Sequence, residues 1–213
     1  MPLVIWQDGA GRTPGSAGQH ADAGQEALYA AIPGIKVVVP SNPYDAKGLM
    51  HAALRDSDPV VFFHYSAINS ISIDVPDDDY VVPIGEAAIR QEGKDITIVG
   101  YGPAALEINK SVAGLKQAGI SAEIIDPRSI KPMPIDAITK SVKKTGKLLV
   151  VDHGHETCGT AAEVVARVAI AVPGVKVARS TFPDAPPPGA REMISWMTPD
   201  APKIIEASRK MMA

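Results

Sequence analysis

The rhythm of apolar and polar positions divides the chain into an opening unit, a featureless stretch and a longer second unit. Residues 40–64, PSNPYDAKGLMHAALRDSDPVVFFH, show it most sharply. Ala46, Leu49, Met50, Ala53 and Leu54 fall on one stripe at helical spacing. Asn42 stands where a cap belongs and Pro43 at the first helical position. Asp45 lies in the first turn, where a carboxylate suits the positive end of the helix dipole. Proline pushes the residue before it out of the helical region, so Arg55-Asp56-Ser57-Asp58-Pro59 predicts the stop. Val60-Val61-Phe62-Phe63 then reads as a strand covered on both faces. Upstream, residues 2–6 predict a strand, 7–24 a loop rich in glycine and alanine, 25–32 a helix ended by Pro33-Gly34, and 35–39 a further strand. A buried-type strand directly after Met1 reads as the start of a fragment, or of one half of a split protein.

After Phe63 the pattern fades. Residues 65–83 read as an interdomain linker, with Asp77, Asp78 and Asp79 as a solvated acidic surface. From Ile84 the rhythm returns, with strands expected at 86–91, 95–100, 121–125, 147–152 and 175–179. Helices alternate with them. Pro103–Ala118 carries Ala105, Ile108, Val112 and Leu115 on one face and stops at Gly119. Ile135–Lys144 ends at Gly146, Thr157–Val172 is expected to be capped by Thr157, and a last helix covers Ala201–Met212. The expected organisation is therefore residues 1–64, a linker at 65–83, and residues 84–213. The fold class is α/β with a mostly parallel sheet covered on both faces. Ligand sites in such sheets lie beyond the carboxyl ends of the strands.

Composition narrows the function. Of the 213 residues, 46% are hydrophobic, enough for a sizeable core. The net charge is −3 with no basic run, which argues against a nucleic-acid partner. No apolar stretch is long enough to span a membrane, and the start lacks a signal-peptide pattern. The single cysteine, Cys158, excludes an internal disulfide and fits a reducing, cytoplasmic compartment.

Three places carry candidate chemistry. The 7–24 loop holds His20, but its glycines Gly9, Gly11 and Gly15 do not make a dinucleotide fingerprint, and no Gly-Lys-Ser/Thr follows. A long loop in a compact fold is more often functional than accidental. At the 55–59 break, unpartnered helix carbonyls stand beside Asp56 and Asp58. Oxygen ligands of that kind suit a hard cation, and the same residues also read as a solvated acidic loop. His153, His155 and Cys158 in HGHETC read as a metal site, an activated thiol or an ordinary loop near a helix start.

The run P-G-x-K-V-V-x-P, then D-A-K-G-L, then A-x-R-D-x-x-P-V-V resembles the beta subunit of thiamine-diphosphate-dependent 2-oxoacid dehydrogenases, the pyruvate, branched-chain and acetoin enzymes. VPIGEAAIRQEGKDITIVGYG, IIDPRSIKPMP and LLVVDHGHETCGTAAEVVARV agree with the same group. The resemblance implies the later part of a thiamine-diphosphate-binding (pyrimidine) domain followed by a transketolase C-terminal-like domain. It assigns His20 to the active-site histidine beside the cofactor and the lipoyl channel, where an imidazole orders substrate or moves a proton. It also places a potassium ion on the carbonyls of Leu3, Ala53 and Leu54 and the carboxylates of Asp56 and Asp58, tying the first strand to the helix end.

The chain departs from the family at several points. His20-Ala21-Asp22 stands where His-Ser-Gln is usual, and His64 where an acidic residue often follows the strand. Asp126-Pro127-Arg128 stands where Asp-Leu-Arg is usual, and the tail from Pro186 to Trp196 also differs. The family's catalytic glutamate and the aromatic residue that stacks on the aminopyrimidine belong to a part not in this sequence.

The resemblance implies an enzyme component that decarboxylates a 2-oxo acid and passes the acyl group to lipoyl-lysine. It would work with an alpha subunit that holds the diphosphate through magnesium, as a homodimer or heterotetramer on a lipoyl acyltransferase core. Without the glutamate the chain is expected to be inactive alone. The alternative is a non-catalytic scaffold that keeps dimerisation and docking.

Overall fold

The computed structural model describes residues 1–9 and 24–213. Its elements run β1 (Leu3–Gly9), α1 (Glu26–Ala30), β2 (Lys36–Val38), α2 (Pro43–Leu54), β3 (Pro59–Tyr65), β4 (Ala88–Gln91), β5 (Ile96–Val99), α3 (Gly102–Gln117), β6 (Ala122–Asp126), β7 (Ser129–Lys131), α4 (Ile135–Thr145), β8 (Lys147–His155), α5 (Thr160–Ala171), β9 (Lys176–Phe182), α6 (Arg191–Met197) and α7 (Ala201–Met212).

Two mostly parallel sheets result. The first has the order β1-β3-β2-β7, with β7 antiparallel to β2. The second has the order β4-β6-β5-β8-β9, with β4 antiparallel to β6. From β5 the chain crosses to β6 on one side and later returns to β8 on the other. The carboxyl ends of β5 and β8 therefore flank the switch point, where open α/β sheets form a ligand crevice.

Both faces of the first sheet are covered, which explains its unbroken apolar strands. Val37, Val39, Val61 and Phe63 pack on one side with Tyr65, Tyr101 and Ile130. Val38, Val60 and Phe62 pack on the other with Leu49 and Ala53 of α2 and with Val82. In the second sheet, Ile96, Ile98, Ile124, Leu149 and Val151 lie under α3 and α7. Val99, Ile125, Leu148 and Val150 lie under α4 and α5.

Several expectations change in detail. The apolar stripe of α2 ends one residue early, because Leu54 is 63% exposed. Gly159, not Thr157, caps α5; the Thr157 hydroxyl bonds Asp184 instead, and the Asp152 carboxylate accepts from Ala161 N at 3.1 Å. Residues 65–83 contain a short 3-10 turn, Ser66–Ser70, and then a strap laid along α2. Val82 N donates to Gly48 O at 3.0 Å, and the Tyr80 and Tyr44 rings stack at 4.6 Å. The acidic run is anchored rather than simply solvated: Asp79 pairs with His51 at 2.8 Å and Arg55 at 2.6 Å, and Lys47 donates to the Pro76 carbonyl.

Strand β7 and helix α6 were not foreseen. β7 leaves the second unit and adds a fourth strand to the first sheet, so the two units share backbone hydrogen bonds. Val39 N donates to Arg128 O at 2.8 Å, and the Lys131 ammonium caps α1 through the carbonyls of Ala30 and Ile32. Beside this junction lies a buried ionic cluster. Arg90 reaches both Asp45 and Asp126, Arg128 lies 2.9 Å from Asp45, and Ser41 donates to Asp126. Burial holds the Asp126 carboxyl above its ordinary pKa, against the pull of Arg90 and the hydrogen bond from Ser41.

Candidate functional site

Acids and phenols from the start of α1 and the carboxyl ends of β3, β5 and β8 meet in one buried cluster. Glu26, the first residue of α1, is 2% exposed and accepts a hydrogen bond from the Tyr65 hydroxyl at the end of β3. Tyr101 follows β5, with its hydroxyl fully buried. Burial pushes its pKa well above the ordinary phenol value, and the nearby Asp152 and Glu26 carboxylates push the same way. Asp152, inside β8, accepts from Gly154 N at 2.7 Å and from the first turn of α5.

Gly24 and Gly154 touch backbone to backbone. A Cβ on Gly24 would stand 2.7 Å from the Gly154 Cα, and its φ of +90° already requires glycine. Gly24 is also where the segment carrying His20 rejoins the described structure. His20 itself lies outside the described residues. The cluster is therefore closely packed at Gly24 and Gly154, and its carboxylates are groups that can hold or orient a basic partner.

The HGHETC residues do not converge. His153 is buried with Nε2 3.2 Å from the Pro199 carbonyl, whereas His155 is turned to the Pro183 carbonyl at 3.1 Å and lies edge-on to Phe182. Cys158 is exposed in a left-handed conformation, φ 56°, at the rim of a cavity of about 430 Å³ between α1 and α5. Among the described residues no group of three metal-ligating side chains forms.

Of the residues that the resemblance assigns to a cation, Ala53 and Leu54 end α2 and Asp56 and Asp58 follow in the loop before β3. Leu3 opens β1 opposite Pro59, next to the loop that follows α2. Asp56 N bonds back to Ala53 O at 3.3 Å, which closes the last turn over the Asp56 and Asp58 carboxylates. One partner was absent from the sequence reading. The Lys36 ammonium lies 2.8 and 2.7 Å from the two Asp56 oxygens and 3.3 Å from Asp58. Burial would raise the Asp56 pKa, but the Lys36 hydrogen bond and the Asp58 N–H outweigh it and hold the carboxyl below its usual value. The hydrogen bond to Asp56 likewise raises the Lys36 pKa.

The tandem of two mostly parallel-sheet units, joined through β7 and a buried cluster at their strand ends, defines an α/β protein of the transketolase type. Residues 1–67 match the transketolase pyrimidine binding domain and residues 85–204 the transketolase C-terminal domain, and the chain belongs to this family. It is 41% identical over 197 residues to the pyruvate dehydrogenase E1 component subunit beta of Bacillus subtilis, covering 91% of this chain and 60% of that one. It is 37% identical over 221 residues to the 2-oxoisovalerate dehydrogenase subunit beta of the same organism, covering 99% and 65%. The beta subunit of acetoin:2,6-dichlorophenolindophenol oxidoreductase from that organism is 36% identical, covering 92% and 58%. The chain thus spans roughly three fifths of the curated relatives it matches. In fold it is similar to a split gene transketolase, an inactive beta4 tetramer, with a TM-score of 0.80 at 20% identity, covering 98% of this chain and 65% of that one. No helix among the described residues is long and apolar enough to cross a membrane.

Glu26, Tyr65, Tyr101 and Asp152 were missed as site residues in the sequence. A signal existed for the acids. Glu26 is the one charge in a small apolar helix, and Asp152 interrupts the apolar run LLVVDHG.

Proposed function

We propose that the chain acts as the beta-subunit component of a thiamine-diphosphate-dependent 2-oxoacid dehydrogenase. The assembly decarboxylates a 2-oxo acid oxidatively and transfers the acyl group to lipoyl-lysine. The observation that supports this reading is the meeting of Glu26, Tyr65, Tyr101 and Asp152, from both units, in one buried cluster at the strands' carboxyl ends.

The cluster suits one end of the cofactor and not the other. Thiamine diphosphate supplies a carbanion that adds to the 2-oxo group. The buried carboxyl groups of Glu26 and Asp152 offer a diphosphate no cation, so that group and its magnesium fall to an alpha subunit. The same carboxylates suit the basic, amine-bearing side of a heterocycle. His20 is the catalytic residue this chain supplies, ordering substrate or moving a proton near neutral pH. The chain works as a homodimer or heterotetramer on a lipoyl acyltransferase core in the cytoplasm. A potassium ion held by Leu3, Ala53, Leu54, Asp56 and Asp58 pins β1 to the end of α2. The donor set is all oxygen, which suits a hard cation.

A second reading has one observation in its favour. The fold neighbour named an inactive beta4 tetramer shows that a chain of this fold can assemble without activity. On that reading the chain is a dimerisation and docking scaffold.

Mixing the chain with an alpha subunit of a related dehydrogenase, with and without a polypeptide carrying the family's catalytic glutamate, separates the two. Decarboxylation that needs all three polypeptides, and falls at least tenfold in His20→Ala, is the expected result. No turnover in either mixture selects the scaffold.

A further inference from the structure

The carboxylates after α2 already hold a cation, and it is part of the chain. Lys36 opens β2 opposite Val60 of β3, so its side chain crosses the loop where β3 begins. A carboxylate offers about four acceptor positions. At Asp56 the ammonium takes one on each oxygen, at 2.8 and 2.7 Å. Asp58 N takes another at 2.9 Å, and the Ser57 N–H adds a further hydrogen bond. Asp56 is then fully engaged, and an incoming ion gains it only when Lys36 lets go.

The site still attracts a cation. Two carboxylates against one ammonium leave a net negative charge beside the negative end of the α2 dipole. The pair is also shielded, since the Asp56 side chain is 14% exposed and that of Lys36 30%. An ammonium and a potassium ion carry equal charge and are of similar size, so either satisfies the loop. A tethered partner acts at an effective concentration in the millimolar range or above, so free ion must reach comparable levels to displace it.

We infer that Lys36 is a built-in substitute for the monovalent cation and competes with it for Asp56. This rests on the potassium reading given above. With the ion absent, Lys36 holds the loop; with the ion bound, Lys36 swings outward and the loop keeps its shape.

Thermal midpoints in potassium chloride and in tetramethylammonium chloride, at about 0.15 M ionic strength, test this with wild type, Lys36→Met and Asp56→Asn. Tetramethylammonium is too large to enter the loop. In it, Lys36→Met should melt about 2–4 °C below wild type. Potassium should restore most of that loss while moving wild type far less, and Asp56→Asn should be indifferent to the salt. Equal potassium shifts in wild type and Lys36→Met would mean that ion and ammonium occupy separate places; the competition is then wrong and the ion site stands. No potassium shift in any variant removes the ion and the competition together.

Discussion

Helix α2 carries a charge cluster at each end, and the two differ in burial. At its start, Asp45 and Asp126 are almost wholly buried, Arg90 bridges them and Arg128 pairs with Asp45. At its end and along its outer side, Asp58, Arg55 and Asp79 are more than half exposed. Both clusters join separate parts of the chain, the first across the two units and the second onto the linker strap. The comparison teaches that distance alone does not rank ion pairs. A buried charge that loses its partner has no water to replace it, whereas an exposed one does.

The largest effect should come from Arg90. Arg90→Met strips Asp126 of its cation and leaves Asp45 only Arg128. Urea unfolding should show a loss of about 3–5 kcal/mol. Asp126→Asn should cost less, because it removes a buried charge and leaves Arg90 paired with Asp45. The pH dependence follows. Asp126 has a higher pKa folded than unfolded, so the native state binds the extra proton. Its contribution to stability is full at low pH and is lost as pH rises from about 4 through the raised value. The Asn variant should lack that fall. Equal losses for Arg90→Met and Asp126→Asn would break the comparison.

An intermediate effect tests the strap, which meets α2 where the helix has no side chain. A Cβ on Gly48 would collide with Val82 and stand 2.8 Å from the Tyr80 ring. Gly48→Val should cost about 1–3 kcal/mol through overpacking. It should also speed hydrogen exchange of the Val82 amide, now bonded to Gly48 O. Protection unchanged at Val82 would show that the exposed anchors hold the strap without the buried contact.

These features also mark what could be read in the sequence. The Asn42 cap, Pro43 and the stop before Pro59 are local signals, and α2 begins and ends where they say. The bond from Asp45 N to Asn42 Oδ1 is the expected cap. The unbroken runs at 60–63 and 148–151 announce strands buried on both faces, and both are. β7 could not be read this way. Three residues, Ser129–Lys131, carry no period, and their partner Val37 lies far away in sequence. Lys36 was invisible for the same reason, because a lysine at a strand start looks solvated until β2 is set beside β3. The acidic run was read as free surface because the basic residues it meets, Lys47, His51 and Arg55, are spaced along one face of a distant helix. Of the buried cluster the sequence offered only the strand ends, from topology, and His20, which the resemblance adds, lies outside the described residues. The cluster of Glu26, Tyr65, Tyr101 and Asp152 draws on four separate elements and needs the fold to assemble it.

The smallest effect is the sharpest check on burial as the deciding quantity. The pair of Arg55 and Asp79 is as short as any ordinary ion pair here, at 2.6 Å, yet the two side chains are 52% and 64% exposed. Removing the guanidinium leaves Asp79 with His51 at 2.8 Å and with water. The His51 carbonyl that Arg55 also contacts lies at the end of a helix open to solvent. Arg55→Ala should therefore lower stability by only about 0.2–1 kcal/mol. That loss should vanish near 1 M salt, where the screening length drops to about 3 Å. Arg90→Met should keep its loss at the same salt, because its carboxylates lie beyond the reach of counter-ions. If Arg55→Ala instead cost as much as Arg90→Met, the strap rather than the buried cluster would be the main link between α2 and the second unit.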